Sequence, residues 1–386
     1  MQCSKERLQC HTVVFCQEFS PCGSVLVTGD NFGRIGVFAL AELLAGSSSA
    51  SAPGENCSTV TFSVCHGSIY ALHTIDNYLV CGTTSGIKAF LWSSLVSAAE
   101  SPAIGKPNVM WTLDPPSDIG GGRIVNALCT LGTHLVSASS SGCIHVWDVE
   151  RERLTRKFDG HSKQALCVVS RPRTSEQCFS GSDDGTVKLW DSRSSACCHS
   201  ITPTVPNPSL ASSSSQSRNN NWVSAVAVDP NDRWLACGGS QPLTLHHIGM
   251  LTSDAASDSA PVSQLTSPTN RHSTPASIIS TTTSSSSSSN SVCPQAVTYG
   301  TPASNGITNT CRFTDSSLLS AGSTSRLYHW DLAGSCQREV PCSSKILYSV
   351  AVHGEERERI TSVAGSSAYL DVFTSYIYGT VKLLLS

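Results

Sequence analysis

The chain has 386 residues, 39% of them hydrophobic and 14% charged, with a formal net charge of −3. This balance supplies apolar residues for a folded core and excludes the extended electropositive surface by which proteins hold nucleic acid through its phosphates. No run approaches the roughly eighteen apolar residues of a membrane-spanning helix, and the start Met1-Gln-Cys-Ser-Lys-Glu-Arg7 lacks a secretory hydrophobic region, so a soluble intracellular protein is expected.

Residues 1–11 read as a polar N-terminal tail. From residue 12 to residue 386 one pattern recurs: a strand, a short turn and a second strand, with further apolar strands before and after. The copies fall at 25–38, 79–92, 135–148, 179–191, 234–247, 318–331 and 360–373, seven in all. The third, fourth and sixth end in Trp-Asp, and 43 residues separate Trp147 from Trp190. The run 40–45 has a helical look, but it stops at Gly46 and Ser47 and reads as a short turn after a strand. Strands precede the copies at 69–73, 124–128, 165–169, 223–228 and 346–352, and others follow at 109–113, 154–158 and 379–385. The last of these reads as the outer strand of the seventh unit, so the ring should close without a strand from residues 1–11.

Two segments break the spacing. Residues 202–221 and 249–295 are rich in Ser, Thr and Pro and too poor in apolar residues to offset chain entropy, so both are expected as low-complexity surface loops. Ser267, Thr274 and Thr301 each precede proline and could accept phosphate there. The outer strand of the fifth unit must lie in this region, at 274–279 or 295–299.

The fullest copy is the fourth. Gly160-His161 stands ahead of it, followed by Phe179-Ser-Gly-Ser-Asp-Asp-Gly-Thr-Val-Lys-Leu-Trp-Asp191. In Thr186-Val-Lys-Leu-Trp190, Val187 and Leu189 share one face while Thr186, Lys188 and Trp190 share the other, the period of a strand. Asp184-Gly185 supplies the hairpin, and the aspartate carboxylate can accept a hydrogen bond from the His161 imidazole. These residues resemble the blade of a WD-repeat propeller. The resemblance implies an all-β, seven-bladed WD-repeat β-propeller in which Trp190, Ser180, His161 and Asp184 form a buried polar chain. Such a chain is structural, because each polar group is consumed by its neighbour.

Elsewhere the sequence offers no catalytic constellation. No phosphate-cradling glycine loop, His-Glu-x-x-His helix or Gly-x-Ser-x-Gly elbow occurs, and Gly120-Gly-Gly-Arg123 precedes a strand rather than opening a helix. His66 stands before the second copy where His161 stands before the fourth. The 18 cysteines are scattered without a Cys-x-x-Cys pair, and Cys81, Cys129, Cys167 and Cys237 sit in strands as reduced core thiols. Cys197 and Cys198 point to opposite faces of a strand and do not jointly ligate a metal. Arg151, Arg153, Arg156 and Lys157 alternate with Glu150, Glu152 and Asp159 and read as a solvated outer strand. No catalytic residue, cofactor site or metal site is therefore assigned.

The ordered combination of divergent copies narrows the family. Ser20-Pro-Cys-Gly23, Gly86-Ile-Lys-Ala-Phe-Leu-Trp92, Cys237-Gly-Gly-Ser-Gln-Pro-Leu-Thr-Leu-His-His247 and Leu370-Asp-Val-Phe-Thr374 together resemble the propeller-subunit family of the THO complex, the nuclear assembly that couples transcription to messenger RNA processing and export. The resemblance implies a non-enzymatic nuclear scaffold, in nucleoplasm and speckles, that docks on the coiled-coil subunits five and seven and meets RNA through other subunits. The two Ser-rich insertions depart from the family pattern. A second resemblance belongs to another class: Trp190-Asp191-Ser-Arg193 matches the Trp-Asp-x-Arg box by which some WD-repeat proteins bind the propeller adaptor of cullin-4 ubiquitin ligases, with Arg193 as the fork-shaped polar contact.

Overall fold

A computed structural model describes residues 11–41, 56–101, 103, 105–116, 123–194, 196–203, 221–252, 296–299, 306–355, 358–374 and 380–385. Its strands form seven sheets, antiparallel except for one parallel pairing. Blade one holds β1 (Val14–Phe19), β2 (Val25–Asp30), β3 (Arg34–Ala39) and β5 (Val60–Ser63), and β4 (Asn56–Cys57) leaves it for another sheet. Blade two is β6 (Ile69–Ile75), β7 (Tyr78–Thr83), β8 (Gly86–Leu91) and β9 (Val109–Leu113). Blade three is β10 (Val125–Leu131), β11 (His134–Ser139), β12 (Ile144–Asp148) and β13 (Arg153–Phe158). Blade four is β14 (Ala165–Ser170), β15 (Gln177–Ser182), β16 (Val187–Asp191) and β17 (Cys197–Ile201). Blade five is β18 (Val223–Val228), β19 (Trp234–Gly239), β20 (Leu243–His247) and β21 (Ala296–Tyr299). Blade six is β22 (Thr308–Phe313), β23 (Leu318–Gly322), β24 (Arg326–Trp330) and β25 (Cys336–Pro341). Blade seven is β26 (Leu347–His353), β27 (Ile360–Gly365), β28 (Ser367–Thr374) and β29 (Thr380–Leu384).

Each first strand touches the first strand of the next blade, and β26 returns to β1, so the sheets close into a ring. The repeat is written in the backbone as well as in the sequence. In all seven first strands the pairing register slips once near the start, at Val14/Cys16, Ile69/Ala71, Val125/Ala127, Ala165/Cys167, Val223/Ala225, Thr308/Thr310 and Leu347/Ser349. A slip of this kind frees one residue from the ladder and re-aims its neighbours. The carbonyl at the slip is then taken by the preceding blade: Ile69 O by Cys16 Sγ at 3.4 Å, Ala165 O by Asn126 Nδ2 at 2.8 Å, Thr308 O by Ser224 Oγ at 3.0 Å and Leu347 O by Asn309 Nδ2 at 3.0 Å. Five different side chains thus meet one backbone need, since Cys167 Sγ reaches Val223 O in the same way.

The junction of blades one and seven carries a buried polar link made in both directions. Gln17 Nε2 donates to Ser349 O at 3.1 Å and to Ser362 O at 2.8 Å, while Ser362 Oγ donates to Gln17 Oε1 at 2.6 Å. Behind it Leu26, Phe38, Leu370, Val372 and Leu383 make one buried cluster. Gly36 lets Leu385 pack close, since a Cβ at that position would stand 2.0 Å from Leu385 Cδ1 and displace that side chain. The expected final strand is β29, and a fifth strand joins it: β4 pairs with β29 in parallel, and Ser58 N donates to Leu384 O at 2.9 Å.

The outer strand of blade five is β21, at 296–299, and the competing segment 274–279 lies outside the described residues. Most of the two insertions, the proline-directed Ser267, Thr274 and Thr301, and most of the run 40–45 also lie outside them. Two helices depart from the sequence reading. Trp92 begins the helix α1 (Trp92–Glu100) rather than ending a strand. No side chain caps its N-terminus; it is held by burying Trp92, Leu95, Ala98 and Ala99, which follow helical spacing, and it ends before Pro102, which disfavours helical backbone at Ser101. A shorter helix, α2 (Ile248–Thr252), opens the second insertion.

Candidate functional site

In blade four the polar chain runs from the ring core to the hairpin. Trp190, fully buried, donates from Nε1 to Ser180 Oγ at 2.7 Å. Ser180 donates onward to His161 Nε2 at 2.7 Å, and His161 Nδ1 donates to Asp184 Oδ2 at 3.0 Å. Asp184 also accepts from Ser162 N at 3.0 Å, Thr186 N at 2.9 Å and Thr186 Oγ1 at 2.6 Å. Burial pushes the Asp184 carboxyl up, but the donations from His161 and Thr186 outweigh it and hold the group well below the ordinary carboxylate range. Gly185 makes the hairpin with φ +81°, and Gly160 is small because a Cβ would stand 2.9 Å from Trp190 Cη2. Every polar atom of this set meets another within the blade, which leaves the chain no group for a substrate.

Strand register locates the same positions in the other blades. Trp190, paired with Cys178, matches Phe38, Phe90, Trp147, His246, Trp330 and Phe373; Ser180 matches Thr28, Cys81, Ser137, Cys237, Ser320 and Val363. Blades three and six keep the first link only, Trp147 to Ser137 at 2.9 Å and Trp330 to Ser320 at 2.8 Å. Phenylalanine in blades one, two and seven has no N–H to satisfy. His66 precedes blade two as His161 precedes blade four, but it is exposed, with Cys81 where a serine hydroxyl would meet it.

Arg193 lies at the opposite end of the blade, beyond the third strand. Its guanidinium forks onto Asp191, Nε to Oδ1 at 3.0 Å and Nη2 to Oδ2 at 2.7 Å, with Glu176 3.4 Å from Nη1. Arg193 foremost holds the Asp191 carboxyl well below its usual range. Asp191 also accepts from Gln177 Nε2 at 3.0 Å, Gln177 Oε1 accepts from Arg171, and Arg171 forks onto Asp232 of blade five, its shortest contact 2.6 Å. Asp191 and Arg193 of the box therefore belong to a network that joins two blades, and the fork of Arg193 is engaged within it.

The first strands enclose a central channel of about 520 Å³. At one level Phe15 lies 5.2 Å from Tyr70 and 5.3 Å from Tyr348, ring centre to ring centre. Further along stand Glu18, His73 and Arg312. Protein atoms crowd Glu18, although part of its surface stays open to the channel, and this burial pushes its carboxyl up to about 7 against the opposing pull of Arg312 and the Thr74 hydroxyl. Burial, with Arg312 adding to it, lowers His73 to about 4, and its Nε2 is hydrogen-bonded with Thr130 Oγ1 at 2.6 Å. Sequence reading missed these residues because the register slip displaces them from a simple alternation.

Among the described residues no cluster of three or more His, Cys, Asp and Glu side chains can hold a metal ion, and no helix is long and apolar enough to cross a membrane. Cys81, Cys129 and Cys237 are buried, and Cys167 is half-buried. Cys197 is half-buried while Cys198 is exposed, as neighbours on opposite faces of β17 should be.

Seven four-stranded blades closed into a ring, with a Trp-Ser-His-Asp chain in the fourth, define a WD-repeat β-propeller, and the WD domain, G-beta repeat family model matches residues 152–191 and 207–241. Along its length the chain is similar to THO complex subunit 6 of Homo sapiens, 26% identical over 379 residues that span 97% of this chain and 93% of the human protein. THO complex subunit 6 homolog of Danio rerio is 25% identical over 97% of both chains. THO complex subunit 6 of Drosophila melanogaster is 26% identical over 64% of this chain and 67% of its own length.

Proposed function

We propose that this chain is the propeller subunit of a THO complex, a non-enzymatic nuclear scaffold that helps couple messenger RNA transcription and processing to export through protein contacts. The observation that carries the reading is the similarity to THO complex subunit 6 along 97% of the chain, a span that takes in all seven blades. Two features of the ring agree with a scaffold: the polar chain of His161, Ser180, Asp184 and Trp190 is consumed internally, and the net charge of −3 does not favour an RNA-binding surface. RNA is accordingly met through other subunits. The partners are the coiled-coil subunits five and seven, and the site of action is the nucleoplasm and nuclear speckles.

Reconstitution from purified parts tests the partner assignment. Mixed with THO subunits five and seven in the absence of RNA, the ring should co-elute with them on size exclusion; elution of the ring as a separate species would remove these partners from the proposal.

A further inference from the structure

The register slip that opens every first strand decides what the central channel holds. It frees one residue per blade from the ladder, and three of these, Phe15, Tyr70 and Tyr348, are aromatic and come from adjoining blades. Their rings, 5.2 and 5.3 Å apart, make one half-buried apolar wall. Asn126, Ser224 and Asn309, freed at the same place in other blades, spend a side-chain donor on the next blade. Two residues beyond the slip, the same register brings Glu18, His73 and Arg312 to one level. The strand between sets the two levels roughly 10 Å apart.

At the second level Arg312 is exposed, and among the described residues no carboxylate lies within ion-pair distance of it. It is close enough to pull on both Glu18 and His73 without pairing with either. Glu18 takes the Thr74 hydroxyl on Oε1 at 3.3 Å, and its Oε2 takes no partner among the described residues. His73 is spent on Thr130 at 2.6 Å. Besides phenols and thiols these are the only ionisable groups among the described lining residues, and burial pushes the thiols up. The lumen thus holds one uncompensated cation beside one carboxyl that burial pushes up to about 7.

We propose that the channel binds a monocarboxylate with an apolar, ring-bearing body: the carboxylate fills the gap between Arg312 and Glu18, and the body lies on the wall of Phe15, Tyr70 and Tyr348. A guanidinium meets both oxygens of a carboxylate, and a protonated Glu18 donates its O–H to one of them. With a single cation in the lumen, a second negative charge would be left desolvated and unpaired, which disfavours a phosphate dianion. A channel of about 520 Å³ walled by strands suits one small group, and not a run of nucleotides. The aromatic wall supplies the remaining contact through offset or edge-on ring packing.

Seating the anion places a like charge against Glu18 and raises its pKa further, so binding takes up a proton and is tightest below about pH 7. As Glu18 ionises above that, affinity falls. The other charged groups around these strands stand outside the lining. Asp30 of β2 is paired with Arg34 at 2.7 Å, Asp76 is exposed in the turn after β6, His353 closes β26 with its ring 5.6 Å from Phe19, and β27 carries none. Around Arg312, Asp315 pairs with Arg359 at 2.7 Å, and Asp229 accepts backbone N–H groups of its own turn. Glu355 and Glu358 are exposed after β26, with Glu356 and Arg357 between them in sequence. The site is a property of the ring and stands whether or not the ring joins a THO complex.

The test is calorimetric titration of the full chain with phenylbutyrate, its neutral amide, inorganic phosphate, and a short peptide ending in phenylalanine with a free or an amidated C-terminus. Phenylbutyrate is expected to bind saturably and its amide not. Binding of the free-ended peptide as well assigns the site to a polypeptide end; its failure beside a binding phenylbutyrate assigns it to a free acid. From about pH 6 to about pH 8 the affinity should fall about fivefold or more. Glu18→Gln, which keeps a donor but cannot ionise, should abolish that fall and bind more tightly than the native chain at the upper pH. Arg312→Gln should weaken binding about tenfold or more, the loss expected for a charge-assisted hydrogen bond, and Arg312→Lys less, with circular dichroism checking that both keep the fold. No saturable binding of either acid, equal binding of the amide, displacement by phosphate at equal concentration, a pH-independent affinity in the native chain, or an unchanged affinity in Arg312→Gln would each overturn the proposal.

Discussion

Ser180→Ala isolates the polar chain of blade four by removing one oxygen. That atom accepts from Trp190 and donates to His161, both at 2.7 Å, and Ser180 is 0% exposed. The variant leaves an indole N–H and an imidazole nitrogen buried without a partner, each worth about 1–3 kcal/mol, so a loss of about 2–6 kcal/mol is expected. Ser137→Ala and Ser320→Ala remove the same oxygen from blades three and six, where the tryptophan is its only side-chain bond on that path, and should cost about half as much. With a urea slope of about 3 kcal/mol/M, a loss of about 3 kcal/mol moves the midpoint by roughly 1 M. Urea melts followed by tryptophan fluorescence and by circular dichroism would measure all three. If Ser180→Ala were no more damaging than Ser137→Ala, the chain beyond the Trp-Ser link would contribute nothing and the reasoning would fail.

The depressed Asp184 carboxyl sets a pH dependence: its folded pKa lies below the unfolded value, so its stabilisation is present above about pH 4 and is lost as pH falls. Asp184→Asn should therefore flatten the acid limb of a stability profile, and an unaltered limb would contradict this. Glu18 runs the opposite way, because its folded pKa near 7 exceeds the unfolded one and the ring binds the extra proton. Stability it contributes at low pH is lost as pH rises from about 4 to 7, so Glu18→Gln should raise the urea midpoint at pH 8 more than at pH 4. Gln17→Ala removes the polar link between blades one and seven and should cost about 2–4 kcal/mol, with hydrogen exchange accelerated first in β1 and β26; uniform acceleration around the ring would count against a closure role. Arg193→Ala should leave recovery of THO subunits unchanged, since its fork is spent on Asp191.

What the sequence made legible is what depends on local pattern. Each blade carries its own strand-turn-strand period, and in blade four the Gly-His, Ser, Asp-Gly and Trp-Asp residues stand at spacings that bring them together. The helix α1 was hidden because Phe90-Leu91-Trp92 continues a plausible strand, and only its burial against the core between blades one and two favours helix. Gln17 gave no signal at all: its partner Ser362 lies 345 residues away, and nothing in either neighbourhood marks a polar clasp. The parallel pairing of β4 on β29 is equally non-local. The channel site needs the register of the first strands, which brings Glu18, His73 and Arg312 together from blades one, two and six.

The central claim, a scaffold within a THO complex, is tested most directly by affinity purification of the tagged chain from nuclear extract after RNA digestion, with the recovered proteins identified by mass spectrometry. The account predicts THO subunits in stoichiometric yield, retained without RNA; recovery of cullin-4 and its propeller adaptor without any THO subunit would contradict it.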